Sequence, residues 1–140
     1  DKDGKAIGSM CGADYSLTVY QPKDFDPANP VYKVKVWDKG GNVTERMVDV
    51  SKVDTAGSDY IDMFAYSSHL SASGKCPGAQ SAFIRAGANQ HGADNRTHDD
   101  LFGMNDWISV LKDAMQTQYD AGNLKGYLDY KQFWDFLDNK

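Results

Sequence analysis

Residues Val31 to Asp38 (VYKVKVWD) alternate without a break, and a period of two commits them to a half-buried β-strand. Tyr32, Val34 and Val36 share one face, while Lys33, Lys35 and Trp37 share the other. Lys39-Gly40-Gly41-Asn42 supplies turn residues, and the β-branched run Val43 to Val50 (VTERMVDV) follows. Residues 31–50 therefore predict a β-hairpin. Ser16 to Tyr20 predicts one further strand, ended by Pro22. Pro22, Pro27 and Pro30 make residues 21–30 an extended surface loop, because each proline biases the residue before it away from helix. Residues 1–14, rich in glycine and charge, predict a loosely ordered lead-in.

After the hairpin the period changes. Ser58 or Asp59 can cap a helix over about 59–72, with Asp62 in capping-box position and Gly74 as the stop. A second helix is expected over about 79–89, from Ala79, Ala82, Phe83 and Ala86. Residues 87–100 (GANQHGADNRTHDD) show no periodicity and predict a polar loop, long enough for its length to point to function or mobility. Asn105 or Asp106 caps a helix to about Ala121, carrying Ile108, Leu111, Met115 and Tyr119 on one face. Gly122 and Asn123 end it, and a last helix spans about 127–138. Strands first and helices after give an α+β fold: an N-terminal hairpin plus a further strand, packed on three or four helices that end in an αα-hairpin. At 140 residues the expectation is one domain over 1–140, large enough to fold without a disulfide or metal staple.

Charge narrows the function classes. Fifteen Lys and Arg stand against 20 acidic residues, for a net charge of −5. The only arginines are Arg46, Arg85 and Arg96, and they are scattered. Nucleic-acid binding and docking on an anionic membrane both need clustered basic side chains, so neither is expected. No apolar run is long enough for membrane insertion. All the acids but Glu45 are aspartates, suited to caps, turns and solvation. Cys11 and Cys76 are too few for a disulfide scaffold, and their spacing leaves a bridge and a reduced pair both open. The compartment stays open with it.

Three chemistries can be tested on residue types. Calcium fails twice: Asp1-Lys2-Asp3-Gly4 lacks an acid at Met10, and a loop aligned on Gly126 would put Ala121, Lys125 and Gln132 where oxygen ligands belong. His91, Asp94, His98, Asp99 and Asp100 are of types that bind a transition metal, but no two of them sit at i, i+4 on a predicted helix, and a solvated loop explains them. Cys76 precedes a helix N-terminus that would lower its thiol pKa, and His91 or His98 with Asp99 or Asp100 could serve it as base and orienter, but a buried or disulfide-bonded thiol is the expected state. Ser68-His69 is a weaker serine counterpart, since adjacent helical residues diverge. No metal, cofactor or catalytic residue is assigned. There is no phosphate-binding glycine loop, dinucleotide fingerprint, nucleophile elbow or zinc-protease helix.

The last helix carries Tyr127, Tyr130, Phe133, Trp134 and Phe136 on more than one face. Either the hairpin wraps it on a second side, or one aromatic face meets a protein partner. A sugar surface on Trp107 or Trp134 is a third option.

The segments VYKVKVWDKGGNVTE, YIDMFAYSSHLSASGK and YDAGNLKGYLDYKQFWDFLD together resemble a functionally uncharacterised group of bacterial proteins from Gram-positive genomes. The likeness spans most of the chain from Tyr15, carries no catalytic motif, and implies a bacterial source alone. The reading that emerges is a non-enzymatic interaction or structural module. The alternative is a small hydrolase that uses Cys76 or a metal held by the 91–100 loop.

Overall fold

The computed structural model describes residues 2–91 and 95–138, apart from the side chain of His91. Four antiparallel strands run in chain order across one sheet: β1 (Lys5–Cys11), β2 (Tyr15–Gln21), β3 (Val31–Asp38) and β4 (Val43–Asp49). Four helices follow: α1 (Tyr60–Ala72), α2 (Ala79–His91), α3 (Trp107–Asp120) and α4 (Leu124–Asp138). The α+β expectation holds, and α3 with α4 forms the C-terminal αα-hairpin.

The sheet is built on the alternation that the sequence shows. Val34 pairs with Val19 and Val36 with Leu17, so their side chains share a face. Tyr15, Tyr32 and Val48 join them, and all seven are buried. Gly41, at φ +83°, closes the turn into β4 with a conformation other residues adopt at a cost. The opposite face is polar, and there Lys33 and Lys35 hold the Asp3 carboxylate at 3.0 and 2.9 Å. That contact corrects the expectation for residues 1–14. They are not a loose lead-in: Asp3 is buried and β1 pairs along β2. A register shift between Ala6 and Gly8 breaks the alternation of β1, so its sequence does not read as a strand.

Helix α1 lies between the sheet and α2, which is why it is buried almost all round rather than along one stripe. Asp59 caps it, accepting from the Asp62 N–H at 3.0 Å. Tyr60 of α1, Phe83 of α2 and Trp107 of α3 meet with ring centroids 4.7 to 5.9 Å apart, joining three helices in one aromatic cluster. Arg96 is buried against it, its guanidinium 4.1 Å from the Tyr60 ring and donating to the Gly87 carbonyl at 2.9 Å.

Two helix boundaries differ from expectation. Asn123 accepts from the Gly126 N–H at 3.0 Å, so the residue that ends one helix also starts α4, three residues earlier than the periodicity implies. Helix α2 likewise runs to His91, into the stretch expected to be loop. Among the described residues, no helix is long and apolar enough to cross a membrane.

Candidate functional site

Cys76 sits in the turn ahead of α2, as the sequence places it, and it is buried there as a free thiol. Only 4% of it is exposed, and burial pushes the thiol pKa up, outweighing the N–H groups of Gly78 and Ala79 that pull it down. A helix N-terminus lowers a thiol pKa only where the thiolate keeps some solvation, and here it has little. Burial therefore works against a nucleophile at this position. Cys11 is exposed and Cys76 buried, and both are free thiols.

Ser68 fares no better as a nucleophile. Its Oγ accepts from Gln80 Nε2 at 2.9 Å, whereas His69 Nδ1 bonds to Tyr32. The two neighbours serve different contacts, as adjacent helical positions must.

Asp94 and the side chain of His91 lie outside the described residues. The rest of the 91–100 set is occupied locally: Asp100 accepts from the Thr97 N–H at 2.8 Å, and His98 Nδ1 lies 3.2 Å from Asp99 Oδ1. The His98 N–H donates to Asp14 at 2.9 Å. These carboxylates cap and tie a turn. Among the described residues, no three His, Cys, Asp or Glu side chains are grouped to hold an ion.

The aromatic residues of α4 are used inward. Tyr130 and Phe133 are buried, while Tyr127, Trp134 and Phe136 pack half-buried against the core. The exposed apolar residues of this helix are Leu124 and Leu128. Trp107 is likewise buried, its Nε1 donating to the Ser58 carbonyl at 2.8 Å, so it cannot present a face to a sugar.

Two features that sequence reasoning did not single out remain. The first is β4, the last strand of the sheet, which among the described residues pairs on one side only. Val50 N–H donates to Pro30 O, and Asp38 N–H to Asn42 O. Antiparallel pairing alternates, so the even residues between Asn42 and Val50 bond to β3, and the N–H and C=O groups of Val43, Glu45 and Met47 point away from the sheet. Val43 and Met47 are about half exposed, at 48% and 56%. The opposite edge is guarded: β1 carries the register shift, and Gln80 donates to the Ile7 carbonyl at 3.4 Å.

The second is the pair formed by Tyr32 on β3 and His69 on α1, with Oη 2.7 Å from Nδ1. Both residues are buried. Burial raises the Tyr32 phenol to about 12 and, with the nearby Lys75 charge, lowers the His69 imidazole below its ordinary 6.5. The pair forms the floor of a cavity of about 390 Å³, walled by Phe25 and Pro27 and opening beside Ala72, Ser73 and Lys75. The signal in the sequence was slight. Tyr32 reads as a core position of β3, and its partner lies 37 residues away. No family model, curated protein or solved structure matches the chain.

Proposed function

We propose that the chain is a non-enzymatic interaction module that takes an extended segment of a partner protein as a fifth strand along β4. The outward-facing N–H and C=O groups of Val43, Glu45 and Met47, on an unbroken strand with no proline, are the observation that supports it.

The charges on β4 favour a foreign strand over a second copy. Antiparallel self-pairing puts residues of the same face opposite each other, so a two-fold must pass through a residue. Centred on Glu45, it sets Glu45 against its own copy; centred on Arg46, it does the same to Arg46. Centred on Met47, it sets Glu45 against Asp49. Like charges directly opposite each other are destabilising in every one of these registers. A foreign strand with a basic residue opposite Glu45 and apolar residues opposite Val43 and Met47 matches the edge instead.

Proline at Met47 tests this cleanly, because it deletes an outward N–H and leaves the bonds to β3 in place. Panning the intact protein against displayed peptides about ten residues long, enough to run the length of β4, should enrich an apolar-x-basic-x-apolar pattern. Met47→Pro should keep its circular dichroism spectrum and lose that enrichment. Peptides of no common pattern, or binding that survives Met47→Pro in a folded protein, would overturn the proposal.

A further inference from the structure

We infer that the cavity over Tyr32 and His69 is a binding site for a small carboxylate with a flat apolar body. The inference is independent of β4 and rests on which groups the cavity presents.

The buried phenol fixes the tautomer of the imidazole. A buried hydroxyl hydrogen needs an acceptor, and the hydrogen-bond partner of Tyr32 Oη is His69 Nδ1 at 2.7 Å. With the phenol donating, Nδ1 carries the lone pair and Nε2 carries the hydrogen. Nε2 takes no hydrogen bond among the described residues, and His69 lines the cavity. An N–H donor on a side chain gripped by its other nitrogen is therefore available to an incoming acceptor.

The groups around that donor set the charge of the ligand. Lys75 stands at the mouth, with Ser73 beside it, and Gln21 reaches the cavity from β2. Among the described residues no aspartate or glutamate lines it, in a chain with 20 acids and a net charge of −5. A cation and a fixed N–H donor without a competing carboxylate suit an anion that accepts hydrogen bonds. The walls set its body: Phe25 stacks obliquely on Tyr32, with centroids 4.9 Å apart, and Pro27 and Ala72 complete an apolar lining. An oxyanion on a planar apolar frame meets both demands, and benzoate is the simplest such molecule.

The test follows the His69 Cε1–H signal in the intact protein while benzoate, benzyl alcohol or sodium chloride is added. The chain has three histidines, His69, His91 and His98, so His91→Asn and His98→Asn assign the signal. Benzoate should shift it saturably and bind at least about tenfold tighter than benzyl alcohol, as a charge-assisted contact requires. Lys75→Gln, an exposed change, should weaken benzoate by about three- to tenfold and leave benzyl alcohol unaffected. Met47→Pro should bind benzoate as well as the parent chain, which separates this site from the β4 edge. Three results would overturn the inference: no saturable shift, equal affinity for the alcohol, or the same shift from chloride alone.

Discussion

The guanidinium of Arg46, on β4, lies 2.7 Å from Asp59 Oδ2, the carboxylate that also caps α1. The same Nη1 reaches Asp62 at 2.9 Å. One cation thus ties the edge strand to the first turn of the central helix. Asp59 is nearly buried, at 9% side-chain exposure, whereas Arg46 keeps 34%. That places the pair between a solvent-screened surface bridge and a sealed one. Arg46→Met should cost about 1–2 kcal/mol, because it strands a desolvated carboxylate while the solvent at Arg46 discounts the loss. A double-mutant cycle with Asp62→Asn should show coupling of a few tenths of a kcal/mol, since that partner is as exposed as Arg46. Chemical denaturation measures both.

The Tyr32–His69 pair makes stability depend on pH in a particular window. Burial and Lys75 hold the folded imidazole below its ordinary 6.5, so between those two values the unfolded chain binds the proton and the native state does not. Stability contributed by His69 is complete above pH 6.5 and falls as the solution is acidified towards the folded pKa. Asp3, held down by its bonds to Lys35 and Lys33, and Asp38, held down by Asn42, lose their contributions only below the ordinary carboxyl value of 3.8. Urea midpoints measured across the acid range should decline in two stages, and His69→Gln should flatten the upper one. An upper stage unchanged in that variant would assign the dependence elsewhere.

What the sequence makes legible follows the range of the interactions. The alternation of β3 and the Asp59 and Asp106 caps are local, and the structure keeps each of them. β1 is illegible because the shift at Ile7 moves its side chains out of step, and Gly8 gives no side chain to read. The candidate sites lie further out of reach. Val43 to Asp49 reads as a strand, but its place at an open edge depends on the order of all four. His69 pairs with a residue on another element, so neither partner carries a mark of the other. At Cys76 the helix start is visible in the sequence, whereas the burial that dominates its chemistry is tertiary.

The two thiols should therefore behave differently. Cys11 is exposed at the end of β1, while Cys76 is buried with its pKa pushed up. A disulfide reagent added to native protein at neutral pH should release one equivalent quickly, and Cys11→Ser should abolish that phase. Cys76 should react only as the fold opens, so mild denaturant should accelerate it. Fast labelling of Cys76 in native protein would restore the nucleophile reading.

Gly8 marks where α1 and α2 close on the sheet. A methyl group there would stand 2.6 Å from Ser68 Oγ and closer still to Gln80 Nε2, within the hydrogen bond those two side chains share. Neither can retreat cheaply: Ser68 is fully buried, and Gln80 also holds the Ile7 carbonyl that seals the β1 edge. Gly8→Ala should cost about 1–3 kcal/mol, the range for forcing an extra carbon into a packed interface. Gly78 is the matched control, because a methyl group there meets nothing within 4 Å and its backbone is unstrained. Gly78→Ala should fall within about 0.5 kcal/mol of the parent chain, like other surface changes. Equal thermal midpoints for the two variants would mean that β1 yields to the helices, and the guarded edge of the sheet would then be no firmer than β4.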